Sequence, residues 1–169
     1  LLGVLGSALL YIPNGELHLL LNEYHTPARD IFYRYYTHVA EWFPYVICVA
    51  LLLFSRIGDG VFASAAMLLS ALFTQVVKHI VVAPRPLTWF GEHMPDVQLP
   101  LVEGVDVHAI YSFPSGHTTS FFALAFVLSI VATKKLSRFS LTLSSTLQAI
   151  LVVLAALGGY SRIYLCQHF

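Results

Sequence analysis

VHAIYSFPSGHTTSFFALAFVLSIVAT, residues Val107–Thr133, runs for 27 residues without Asp, Glu, Lys or Arg. A helix of about 20 mostly apolar residues crosses about 30 Å of hydrocarbon, so this stretch is a spanning candidate. Four other charge-free stretches accompany it: Leu1–Gly15, Trp42–Ser55, Gly60–Val77 and Phe139–Ser161. Gly60–Val77 and Phe139–Ser161, with 18 and 23 residues, are also long enough as they stand. Trp42–Ser55 reaches adequate length if its helix begins near Thr37 and carries Glu41 at the interface. Leu1–Gly15 has no Met and no basic n-region, so it reads as the tail of a cut helix rather than a signal peptide.

Composition agrees. The 169 residues are 57% hydrophobic and 11% charged, against about 45–50% and about 25% in an average soluble domain. That balance excludes disordered, collagen-like and nucleic-acid-binding classes. Net charge is zero, so any anion site has to be built locally. The two cysteines make no disulfide framework and have no metal-like spacing, and Cys48 reads as a small hydrophobe. The expectation is an all-α, polytopic transmembrane helix bundle. It is read as one membrane-embedded domain over residues 1–169, with no internal repeat.

Glu16–Tyr36 mixes leucines with charged and aromatic residues and suits a helical segment in the headgroup layer after the first span. Ser55–Gly60 and Thr133–Arg138 read as tight connectors. They hold Arg56, Lys134, Lys135 and Arg138, four of the nine basic residues. The positive-inside rule makes them cytoplasmic, leaving Glu16–Tyr36, the long polar loop Leu87–Ser112 and everything after Ser161 outside.

Three polar clusters then fall on that outer surface by parity of crossing. The third span ends in Lys78 and Arg85, with Pro84 and Pro86 bracketing the arginine. The fourth begins Pro114-Ser115-Gly116-His117, and the fifth ends in Ser161-Arg162 and His168. Lys78 and Arg85 are seven positions apart, so a continuous helix puts both on one face. Ser115 suits an N-cap, and Gly116 lets a ligand approach free N–H groups at a positive helix end, where phosphate binds well. His18, His25, His38, His79, His93 and His108 read as ordinary polar rings, and Glu92, Asp96, Glu103 and Asp106 as a solvated lid. The clusters lack carboxylates and no His-Glu-x-x-His occurs, so no metal is expected.

Taken together, Lys78-x6-Arg85-Pro86, Pro114-Ser115-Gly116-His117 and Ser161-Arg162-x5-His168 resemble the three-part motif of the membrane type-2 phosphatidic acid phosphatases. That family shares a superfamily with the vanadium haloperoxidases. The resemblance implies a six-helix core, here truncated at both ends, with an acidic partner of His168 falling after Phe169. It implies a metal-independent lipid phosphate or diphosphate phosphatase in a bacterial inner membrane, with its site facing the periplasm or exterior and no cofactor. Lys78, Arg85, Ser115, Gly116 and Arg162 would bind phosphate. His168 would be the nucleophile, giving a phosphohistidine, and His117 the general acid and base. Phosphatidic acid, phosphatidylglycerol phosphate, polyprenyl diphosphate and a phosphorylated lipid A all fit as substrates, with Leu87–Ser112 as selector. A protein that binds or translocates lipid phosphates without cleaving them is the alternative.

Overall fold

The computed structural model describes residues 14–136 and 140–169. Most of the first apolar stretch, together with Arg138 and Phe139, lies outside those residues. The chain forms α1 (Asn14–Leu21), α2 (Pro27–Tyr36), a 3-10 turn (Thr37–Ala40), α3 (Trp42–Ser55), α4 (Ile57–Val81), α5 (Pro86–His93), α6 (Gly116–Leu136) and α7 (Leu141–Tyr164). Helices α4, α6 and α7 are each long and apolar enough to cross a membrane. The segment from α2 through the 3-10 turn makes a fourth candidate with α3, bent by 49°. The bend falls at Glu41, whose backbone is extended, so the second span is not one straight helix from Thr37.

Local chemistry sets the ends, and it moves several of the expected ones. Thr26 caps α2 by accepting from the Arg29 N–H, with Pro27 in the first turn. Helix α4 stops at Val81 because Val82 turns left-handed (φ 43°) and its N–H closes on the Lys78 carbonyl. Lys78 and Arg85 therefore do not share a helical face. Arg85 instead stands at the N-cap of α5, which begins with Pro86, so Leu87–Ser112 is not wholly a loop. Only extended Arg56 separates α3 from α4, and Gly58–Gly60 are helical rather than a turn. Val107–Ser115 of the uncharged stretch is not helical, and the fourth span begins at Gly116, as Pro114-Ser115-Gly116 led one to expect. Before it, Pro84 and Ile110 form an isolated antiparallel bridge, with Arg85 N–H donating to Ala109 O and Ser112 N–H to Ala83 O, both at 2.9 Å. Lys134 and Lys135 lie in the last turn of α6 instead of in a connector.

Contacts at both ends fix α4 and α6 as antiparallel neighbours. Lys134 Nζ meets Asp59 Oδ1 at 2.9 Å at one end; a Cβ on Gly116 would lie 3.9 Å from Lys78 Nζ at the other. Helix α7 packs closely on α6, where a Cβ on Gly158 would stand 2.3 Å from the Phe121 ring. Phe121, Ala125 and Ala155 make one apolar cluster with Ala40, and Leu52, Ala63, Val127 and Val131 another. The ends of α4 and α7 and the start of α6 thus share one side of the bundle.

Candidate functional site

Residues just past α7 build one wall. Cys166 is left-handed (φ 52°), and the chain doubles back so that Gln167 and His168 N–H both donate to Arg162 O, at 2.9 and 3.1 Å. His168, 3% exposed, hydrogen-bonds through Nδ1 to the Ser112 carbonyl. A carbonyl only accepts, so Nδ1 carries the hydrogen and the Nε2 lone pair is left available. Burial lowers the pKa of this ring to about 3. The Ser112 hydrogen bond opposes that shift, and the nearby charges of Arg85, Arg162 and Lys78 add to it. The imidazole is neutral at physiological pH.

Three cations face it from separate elements. Arg162 donates from Nη1 to Thr37 Oγ1 at 2.7 Å, while its buried Nε has no partner among the described residues. Arg85 donates from Nε to Ile110 O (2.8 Å) and from Nη1 to Gln167 Oε1 (2.7 Å) and Gln167 O (3.2 Å). Burial lowers its pKa, but a guanidinium stays charged in any protein setting. Lys78 reaches the N-terminus of α6 beside Gly116. There Ser115 Oγ accepts from Thr118 N–H at 3.3 Å, which is the cap its position suggests.

His117, in the first turn of α6, borders two hollows. One is polar, about 200 Å³, and also touches Arg162, Thr37, His38, Glu41 and Gln167. The other is an apolar groove of about 400 Å³ between α3, α4 and α6, lined among others by Tyr45, Met67, Ala71 and Ala123. A third hollow of about 410 Å³ opens over Lys78, Arg85, His79, His108 and Tyr111.

All seven residues singled out in the sequence, Lys78, Arg85, Ser115, Gly116, His117, Arg162 and His168, therefore gather at one end of the bundle. Ser112, Gln167 and Thr37 join them without having been expected. Ser112 acts through its carbonyl, which no side-chain pattern reveals. Gln167 had a signal, a polar side chain beside His168 in an otherwise apolar turn. Among the described residues, no three His, Cys, Asp or Glu side chains are grouped to hold a metal ion.

The family model of the PAP2 superfamily matches residues 59–169, which take in all three clusters. The chain belongs to the PAP2 superfamily. Two solved structures of that kind resemble it. The crystal structure of Aquifex aeolicus LpxE is 26% identical, with a TM-score of 0.70 over 91% of this chain and 81% of that one. The crystal structure of the first transmembrane PAP2 type phosphatidylglycerolphosphate phosphatase from Bacillus subtilis is 24% identical and shares the fold. Its TM-score is 0.67, over 99% of this chain and 82% of that one. No curated protein sequence matches the chain. As a PAP2 protein with its spans exposed as apolar surface, the chain is an integral membrane protein.

Proposed function

We propose that this PAP2 protein hydrolyses a lipid phosphate monoester or diphosphate through a phosphohistidine, at the extracytoplasmic face of a bacterial inner membrane. The observation that carries the reading is a neutral His168, with Nδ1 on a carbonyl and Nε2 available, among the charges of Arg85, Arg162 and Lys78, with His117 at the same end of the bundle. Lys78, Arg85, Arg162, Ser115 and the Gly116 N–H bind the non-bridging oxygens and offset their charge, which is the main electrostatic work of phosphoryl transfer. His168 Nε2 attacks phosphorus as the bond to the leaving oxygen breaks, and His117 gives that oxygen its proton. Water then attacks phosphorus, its proton passes to His117, and the P–N bond breaks to release inorganic phosphate.

The apolar groove at His117 supports a lipid substrate: acyl or prenyl chains lie between α3, α4 and α6 while the headgroup reaches the cations. The test is inorganic phosphate release from a panel of lipid phosphates in detergent or vesicles. Turnover by the wild type and an at least 10³-fold drop in His168→Ala are expected. Binding without phosphate release would favour a carrier instead. An acid-trapped labelled phosphoenzyme that persisted in His168→Ala would move the nucleophile elsewhere.

A further inference from the structure

The segment before α3, which holds α1 and α2, is tied to the turn that carries His168 by one continuous hydrogen-bonded chain, and the phosphatase reading gives that chain no part. It starts at Asn22, 3% exposed. The Asn22 amide nitrogen donates to Ile163 O at 3.2 Å and to Cys166 Sγ at 3.0 Å. Because Ile163 O can only accept, the amide orientation is fixed: nitrogen faces the turn and Oδ1 faces away. Oδ1 accepts from His25 Nε2 at 2.9 Å. The other ring nitrogen of His25 meets Asp30 Oδ1, also at 2.9 Å, and that oxygen takes a further hydrogen bond of 2.6 Å from Tyr164 O–H. The His25 ring stacks on Tyr164, centroids 4.0 Å apart. Both termini of this chain therefore land on the segment Ile163–Cys166, immediately before Gln167 and His168.

That segment needs an outside support. Cys166 sits in a left-handed conformation that a residue with a side chain adopts rarely. Its internal bonds, from Cys166 N–H to Ile163 O and from Gln167 and His168 N–H to Arg162 O, constrain its shape but not its place against the bundle. Arg162 is anchored separately to Thr37, and Lys78 and Ser115 stand on other helices. A brace on Ile163 and Cys166 therefore acts first on where the His168 ring stands. Of the phosphate-binding side chains only Arg85 is bonded to that turn, through Gln167, and Ile110 O holds it independently.

We propose that Asn22, supported by His25, is a positioning residue for His168, clamping the end of α7 from the interfacial segment. The inference rests on the phosphatase reading for its kinetic arm. Its structural arm is independent. Asn22→Asp keeps shape and the acceptor toward His25 but turns an oxygen toward Ile163 O. His25→Gln, at a less buried position, breaks the link to Asp30 and covers the case in which the first variant folds poorly.

The measurements are kcat and KM for phosphate release, the thermal midpoint, and hydrogen exchange at the Gln167 and His168 amides of the purified protein. Displacement of a reacting group by about 1 Å is worth about 10²-fold in rate. Expected is a fall in kcat of at least tenfold for Asn22→Asp and a smaller fall for His25→Gln. KM should hold in both variants. The thermal midpoint should hold for His25→Gln and fall for Asn22→Asp, which loses a buried donor. Exchange should be faster at both amides. Wild-type kcat and exchange in both variants would overturn the clamp, as would a rise in KM matching the loss in kcat. A wild type that releases no phosphate from any lipid would sink the phosphatase reading, and the exchange data would then judge the clamp alone.

Discussion

Arg162 spends one donor on Thr37 and keeps a buried Nε with no partner among the described residues, a geometry that suits a guanidinium if it also holds the proposed phosphoryl group. A lysine there can hold Thr37 or the ligand but not both. A lost charge-assisted hydrogen bond is worth about 1.5–3 kcal/mol, so Arg162→Lys should lower kcat/KM for phosphate release by roughly 10- to 100-fold. Wild-type kcat/KM in that variant would remove Arg162 from the site. His168 gives a second prediction, from its titration. Its folded pKa of about 3 lies below the 6.5 of an unfolded histidine. Above pH 6.5 neither state takes the proton and the folded form has its full advantage. Between 6.5 and 3 the unfolded chain binds a proton the folded chain refuses, so stability falls as pH drops. His18, lowered to about 4 by burial, adds to the same slope. Thermal midpoints measured from about pH 7.5 to about pH 4.5 should decline for the wild type and decline less for His168→Gln; parallel curves would contradict this. The pairing of His168 with a backbone carbonyl explains a limit of sequence reading. Nothing in a side-chain pattern announces the carbonyl of Ser112.

Helices were legible as bodies and much less so at their ends. Counting uncharged residues finds α4, α6 and α7, because each must present apolar side chains to hydrocarbon. The same count runs nine residues too far upstream of Gly116, since Val107–Ser115 is also uncharged while pairing along Ala83–Arg85. Val82 ends α4 through a backbone angle that valine seldom takes, ahead of Pro84 and Pro86. Asp59 and Lys134 were placed in turns for being charged, yet they pair with each other from within helices. Close approach of elements is where glycine matters. A Cβ at Gly158 would stand 2.3 Å from Phe121, whereas one at Gly58 meets nothing within 4 Å. Gly158→Val should destabilise the bundle by about 1–3 kcal/mol through overpacking of α6 against α7. Gly58→Ala should be neutral or stabilising by up to about 1 kcal/mol from helix propensity. Thermal unfolding in one detergent checks both, and a Gly158→Val protein as stable as the wild type would mean the helices are not this close.

Over the whole molecule, polarity runs inside out. Phe54, Ile80 and Leu141 are 92%, 76% and 75% exposed, while Asp59, Thr74, Ser144 and Ser161 are buried, the pattern of a bundle whose solvent is lipid. Parity of crossing could be read from the spans alone, and it brought the three clusters together without any knowledge of side-chain contacts. Which side they face is a separate matter, and charge is the only guide. Arg56, Lys134 and Lys135 gather at the end of the bundle opposite His168, and in the orientation we propose that end is cytoplasmic and the cationic hollow lies outside. Arg85 and Arg162 run against that count, but they are buried, and in the proposed phosphatase they bind the ligand and do not signal orientation. Single cysteines introduced at exposed positions, with Cys48 and Cys166 replaced, decide between the two orientations. In intact cells a membrane-impermeant maleimide should label Glu103→Cys and leave Lys135→Cys unlabelled until the membrane is permeabilised. The reverse pattern would put the hollow in the cytoplasm, and a substrate for this protein would then have to be presented from the inner leaflet.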